Sequence, residues 1–267
     1  MCDPCMKQIQ WLSVMVVAII GLAGCQPRSV DPAQEVDRRL ARVRWFIDET
    51  STRPLTEDRY VYDQNGRLAK LENWGHDKGG ELSVTRYQTY TYDSTGRLQK
   101  RNDYSRLLQS EPWRSGREWV YTYPSPDRMI ESDYFIDNQT PPTNWRHLVS
   151  YVHTDYNRDK QPIQVAYYTR EGQLNARVVN TYESGKLVRE EYQQPVGTVS
   201  SYKVYHYDGT SVRVDSYAPA YRPGKVEERQ QTLDSKGRVI SDVITLSENL
   251  NWEPYSGPKV VRYEYVR

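Results

Sequence analysis

Tyr60-Val61-Tyr62-Asp63-Gln64-Asn65-Gly66-Arg67-Leu68 returns, nearly intact, as Tyr90-Thr91-Tyr92-Asp93-Ser94-Thr95-Gly96-Arg97-Leu98. Self-similarity of this kind sets the architecture before any local detail does. Looser copies follow. Tyr121-Thr122-Tyr123 runs into Pro124-Ser125-Pro126-Asp127, and Tyr156-Asn157-Arg158-Asp159-Lys160-Gln161-Pro162-Ile163 keeps the outline without glycine. Then come Tyr182-Glu183-Ser184-Gly185-Lys186-Leu187, Tyr205-His206-Tyr207-Asp208-Gly209 and Leu233-Asp234-Ser235-Lys236-Gly237-Arg238-Val239. The anchor positions 62, 92, 123, 156, 182, 207 and 233 lie 30, 31, 33, 26, 25 and 26 residues apart.

Each unit reads as a β-hairpin. In Asp-x-x-Gly the carboxylate bonds the backbone two residues on, and glycine takes the left-handed position of a type I turn closed by a glycine bulge. The turn formers are Asp63, Gly66, Asp93, Gly96, Gly185, Asp208, Gly209, Asp234 and Gly237, with Asp208-Gly209 as a shorter two-residue version. Flanking segments alternate with period two: in Trp119-Val120-Tyr121-Thr122-Tyr123 the aromatics share one face and Val120 and Thr122 the other. Segments between the units are rich in Gly, Pro, Asn and Ser, as in His76–Gly80, Asn138–Pro142 and Asn249–Pro258, and make the opposite rim.

Seven hairpins, with a strand over Arg42–Glu49 before them and one over Lys259–Val266 after them, predict an all-β antiparallel meander of about sixteen strands. One short helix is expected from Asp31, its cap, through Pro32 to about Leu40. A sheet this wide curls rather than lying flat, into an open half-shell or a barrel, and closure leaves a lumen. Strands such as Lys225-Val226-Glu227-Glu228-Arg229-Gln230-Gln231 offer no apolar band to a membrane.

This body resembles the YD-repeat (Rhs-like) family, whose hallmark is Tyr-Asp-x-x-Gly-Arg-Leu after a short strand. The match is close at 62–68 and 92–98, partial at 182–187, 207–212 and 233–239, and poor at 123–130 and 156–163. The resemblance implies a curved shell of hairpins and suggests carbohydrate binding.

The first residues carry a different message. Lys7 leads a nearly unbroken apolar run, Trp11 to Gly24, too short for a comfortable membrane span. A basic start, an apolar core and small residues at its end form a secretory signal, with Met6 an alternative start to Met1. Leu22-Ala23-Gly24-Cys25 closely resembles the lipobox of bacterial lipoproteins. That resemblance implies cleavage before Cys25, lipid on its sulfur, acylation of its new α-amino group, and firm membrane attachment through several acyl chains. Residues 1–24 are then the signal, 25–30 a lipidated tether and 31–267 a single β-repeat domain. Gln26 rather than Asp after the cysteine fits sorting to the outer membrane of the cell envelope.

Across 267 residues the 36 Lys and Arg balance 35 Asp and Glu, a net charge of +1, which argues against a nucleic-acid partner. The four histidines show no metal-ligand spacing, and nucleophile elbow, P-loop and dinucleotide fingerprint are all missing. Glu190-Glu191 and Glu227-Glu228 point to opposite faces of their strands, so adjacency makes no acid–base pair. No enzyme, metal or cofactor is expected. The chain has 23 Tyr and 7 Trp against 2 Phe, so its aromatic surface also touches water. Tyr60, Tyr62, Tyr90, Tyr92, Trp119, Tyr121, Tyr123, Tyr205 and Tyr207 recur at equivalent positions as a ladder, read as cross-strand pairing or as a platform for a glycan or envelope protein. Trp74, Trp113, Trp145 and Trp252 mark the longer-loop rim as a second candidate surface. A curled sheet carrying a lipid or small hydrophobic ligand is the alternative function.

Overall fold

The structure, a computed structural model, describes residues 39–76, 80–106, 112–137, 145–220, 223–246 and 259–266. These form sixteen strands: β1 (Leu40–Phe46), β2 (Thr56–Tyr62), β3 (Leu68–His76), β4 (Leu82–Tyr92), β5 (Leu98–Ser105), β6 (Arg114–Ser125), β7 (Arg128–Asp137) and β8 (Trp145–Tyr156), then β9 (Pro162–Thr169), β10 (Leu174–Glu183), β11 (Lys186–Gln193), β12 (Val199–Asp208), β13 (Ser211–Tyr217), β14 (Lys225–Leu233), β15 (Val239–Leu246) and β16 (Val260–Tyr265). Each pairs antiparallel with its sequence neighbours, and β1 pairs with both β2 and β16, so the meander closes into a barrel. The strand over 42–49 starts two residues early, at Leu40. The helix expected over 31–40 lies outside the described residues except at its end, where Leu40 is already extended.

Turn chemistry explains one rim. Asp63 Oδ1 accepts from the backbone N–H groups of Asn65 and Arg67, both at 2.9 Å, while Arg67 Nε donates to Oδ2 at 2.8 Å. Asp93 and Asp234 repeat this set with Arg97 and Arg238. In the fourth hairpin Asn157 Oδ1 takes over, accepting from Asp159 and Gln161. Asp208 differs: it ends β12 opposite Ser211, and Gly209-Thr210 make the turn. Pro126-Asp127 and Ser184-Gly185 are likewise two-residue connections. On the other rim, 170–173 and 194–198 form turns as tight as these.

Lys160 sits at φ 60 where Gly66 and Gly96 sit at φ 76 and 83. A side chain in that region costs about 1–2 kcal/mol, partly offset by the stiffer unfolded chain. Lys160→Gly is therefore expected to stabilise by about 0.5 kcal/mol. Gly96→Ala, where no atom lies within 4 Å of the added Cβ, should cost about 1 kcal/mol. Urea midpoints moving in the same direction for both variants would contradict this.

The eighth hairpin is split between the chain's two ends. Leu40 faces Tyr265 across a bulge, as Leu68 faces Tyr62. The Val266 N–H donates to the Arg39 carbonyl at 2.7 Å, as Asp63 does to Arg67 at 2.8 Å. Arg39-Leu40 thus stands as the second half of a unit whose first half is Tyr263-Glu264-Tyr265.

For sixteen strands about 4.8 Å apart and tilted about 40°, the wall has a radius of about 16 Å. Phe46 and Asp242 are the most deeply buried side chains, whereas a filled core would hold many large ones.

Candidate functional site

Register separates the two faces of the wall. Tyr60 opposes Leu71, Tyr90 opposes Arg101, Arg101 opposes Trp119, Tyr121 opposes Glu131, Tyr205 opposes Val214, and Tyr263 opposes Val43. Residues directly opposite share a face, so all of these line one continuous surface around the barrel. On it, burial pushes the hydroxyls of Tyr60, Tyr121, Tyr205 and Tyr263 well above the tyrosine range, and that of Tyr90 to about 12. On the other face, hydrogen bonds from Arg189 and Gln193 hold Glu191 low. Most of the buried side chains, among them Val43, Leu71, Trp119, Tyr121, Val214 and Val261, lie on the tyrosine face, which is the concave one and lines the lumen.

The outer face is laced with charge. Glu57 holds Arg42, Arg44 and Arg59, Glu118 holds Lys100 and Arg146, and Asp215 holds Arg213, Lys225 and His206. Rings there are stacked or capped: Tyr87 on Tyr104 at 4.7 Å, Tyr202 on Tyr217 at 4.7 Å, and Trp74 under Arg59 at 3.6 Å. Trp113 packs edge-on against Tyr87 at 4.6 Å. Trp252 and the Trp145 side chain fall outside the described residues, as does Cys25.

The aromatic ladder divides into two tiers with different chemistry. The outer tier stands next to the turns, and each hydroxyl donates to a backbone carbonyl of the preceding unit: Tyr62 to Leu40 at 2.8 Å, Tyr92 to Leu68 at 2.8 Å, Tyr123 to Leu98 at 2.9 Å and Tyr207 to Leu187 at 3.0 Å. Tyr182 and Tyr265 do the same with Pro162 and Val239. A cation from the preceding turn covers the ring: Arg39 over Tyr62, Arg67 over Tyr92, Arg97 over Tyr123, Lys186 over Tyr207 and Arg238 over Tyr265, at 4.3–5.0 Å. Every residue of the hallmark then has a task. Asp shapes the turn and orients Arg, Arg carries the next tyrosine ring, and the carbonyl of the residue after Arg accepts that tyrosine's hydrogen bond. Tyr92→Phe removes one such latch and is expected to cost about 1 kcal/mol in urea unfolding; an unchanged midpoint would deny the latch its role.

The inner tier lies two residues further from the turns: Tyr60, Tyr90, Tyr121, Tyr205 and, missed by sequence reasoning, Tyr263. Trp119, Trp45, Tyr167 and Tyr192 continue it one level deeper by register. Between the rings stand charged residues that the sequence reading did not gather: Arg86 with Asp103, Arg117 with Asp133 at 2.7 Å, Lys203 with Glu190 at 2.8 Å, and Arg229 with Glu227 at 2.7 Å and Asp242 at 3.5 Å. Arg101 lies over Trp119 at 4.0 Å and 3.8 Å from Glu131. The signal that could have found them is parity, because they lie an even number of residues from the ladder positions or directly across from them. Glu190 and Glu191, like Glu227 and Glu228, do face opposite ways, the first of each pair inward.

Several lumen atoms have no hydrogen-bond partner among the described residues: Arg101 Nε, Asp133 Oδ1, Asn180 Oδ1, Ser216 Oγ and Asp242 Oδ1. Asp133 and Asp242 are 7% and 1% exposed, and burial raises both carboxyls. Unpaired buried polar atoms call for water or a polar ligand. Among the described residues no three His, Cys, Asp or Glu side chains gather as a metal site.

Fold and lining together define a closed sixteen-stranded antiparallel barrel with an aromatic, charged lumen. No family model matches the chain, and no curated protein does. Among solved structures it is similar to a porin-like protein from Bacteroides uniformis ATCC 8492, at 10% identity and a TM-score of 0.41, over 86% of this chain and 97% of that one. A DUF3836 family protein from Bacteroides vulgatus ATCC 8482 is 16% identical with a TM-score of 0.33, over 38% of this chain and 99% of that one. The TcdB2-TccC3-TEV structure is 10% identical with a TM-score of 0.30, over 80% of this chain and 14% of that one.

Proposed function

We propose that the protein is a non-enzymatic binding module of the bacterial envelope, tethered through acyl chains on Cys25, that holds a glycan in its lumen. The observation that carries this reading is the inner tier itself: part-buried tyrosine rings, with Tyr121 and Trp119 buried among them, interleaved with fixed ion pairs. Rings of this kind stack on the apolar faces of sugars, and charged pairs serve hydroxyls with both donors and acceptors. The charged outer wall supports a barrel standing in water beside the membrane, since a spanning barrel shows lipid an apolar band. The turn-borne motif supports kinship with YD-repeat proteins.

A lipid carrier would need a continuous apolar concavity. Val152, Val165, Ala176 and Val178 make one strip on β8–β10 by register, but Glu131 and Glu190 flank it. Screening the full chain in detergent against a glycan array, with tryptophan fluorescence as second readout, tests the glycan reading. Saturable binding to a glycan class supports it, and silence in both leaves it without a ligand.

A further inference from the structure

The geometry points to Asp58, Tyr60 and Tyr90 as a subsite for an ammonium group, which narrows the glycan reading, on which it rests, to sugars bearing free amines. The other lumen carboxylates named above have a cation of their own: Arg86 for Asp103, Arg117 for Asp133, Arg101 for Glu131, Lys203 for Glu190 and Arg229 for both Glu227 and Asp242. Asp58 is the exception. Asn73 Nδ2 donates to its Oδ1 at 2.6 Å, and among the described residues no cation lies within ion-pair distance.

Its surroundings explain why. On β1 it faces Val43 and on β3 Asn73. On β4 the nearest lumen cation, Arg86, already donates to Asp103. Arg42, Arg44 and Arg59 gather on the outer face around Glu57. What Asp58 does share its face with is aromatic. Tyr60 lies two residues on along β2. Tyr90 lies on the same face of β4, two residues beyond Gln88, which shares a row with Leu71 and Tyr60. The Tyr90 hydroxyl donates to Gln88 Oε1 at 2.8 Å, which fixes its ring. A carboxylate without a cation of its own, on a face shared with two tyrosine rings, joins ionic attraction to the negative ring faces, the combination that binds ammonium groups. A sugar carrying a carboxylate or sulfate would instead meet a like charge.

Calorimetry on the full chain in detergent at pH 6.5 decides this. A glucosamine tetrasaccharide is expected to bind about tenfold more tightly than its N-acetylated counterpart, and Asp58→Asn to erase that difference. The new amide can still accept from Asn73, so the fold is kept, and Tyr60→Ala should lower the free-amine affinity severalfold. Equal binding of both saccharides by the unaltered protein overturns the ammonium subsite and leaves the glycan reading standing. Putrescine, an ammonium probe with no sugar, separates the converse. If it binds and Asp58→Asn abolishes that binding while neither saccharide binds, the subsite stands and the glycan reading falls. No binding of saccharides or diamine overturns the subsite.

Discussion

Deleting residues 259–267 is expected to abolish cooperative unfolding and drive the protein into aggregates. β16 pairs with both β1 and β15, so its loss turns one closed wall into a sheet with two bare edges. Val260 and Val261, 3% and 4% exposed, go with it at about 1.5–3 kcal/mol each. So do Tyr263 in the lumen and the Tyr265 latch on Val239. That sum rivals the whole stability of a typical domain, about 5–15 kcal/mol. A companion chain separates closure from mere loss of residues. Changing Val266→Asp and joining it to Arg39 through three residues that end in glycine, with new ends between Glu171 and Gly172, rebuilds the Asp-x-x-Gly-Arg turn, keeps every strand pair and should melt cooperatively as a monomer. Thermal circular dichroism and size exclusion report both variants. A shortened chain that stays monomeric and melts sharply would show that closure contributes little.

The hairpins were legible because their causes are local. Asp63 and Gly66 meet within four residues of chain, and the alternation around Tyr90 and Tyr92 needs no partner to be read. The strand count followed from those units. Closure was a different matter: Leu40 against Tyr265 is a pairing across almost the whole described chain. Its only sequence trace is half a motif at each end, Arg39-Leu40 and Tyr263-Glu264-Tyr265, neither complete enough to stand out. The lumen was half legible. Ladder tyrosines announce a face, but Asp58, Asp103, Asp133 and Arg229 look like ordinary surface charges until register turns them inward. The split into latch and lining tiers was hidden for the same reason. Tyr62 stands next to its turn and Tyr60 two residues back, but only the position of the preceding hairpin decides which hydroxyl is spent on a carbonyl.

Asp58→Asn is expected to make the protein more stable at pH 7.5 and to change little at pH 4. Burial, helped by the charge of Glu57 and opposed by Asn73 and Arg86, pushes this carboxyl up to about 6 from its ordinary value near 4. A carboxyl raised in the folded state binds its proton more tightly there than in the unfolded chain, so stability falls as pH climbs from about 4 to 6 and stays lower above. Two pH units correspond to almost 3 kcal/mol, and solvent screening of this part-exposed side chain reduces that to about 2. The turn carboxylates act in another window and with the opposite sign. Asp93, held at about 2 by Thr95 and Arg97, stabilises above about pH 4 and loses that contribution as pH falls towards 2. Asp133 and Asp242 share the sign of Asp58, which is why the difference between wild type and variant, rather than either curve alone, isolates it. Urea midpoints from pH 4 to 8 should therefore diverge through about pH 5–6, the variant above. Parallel curves would mean that Asp58 is solvated like a surface carboxylate. A carboxylate that Asn73 and Arg86 compensate only in part costs the folded protein stability at neutral pH, as groups kept for binding commonly do.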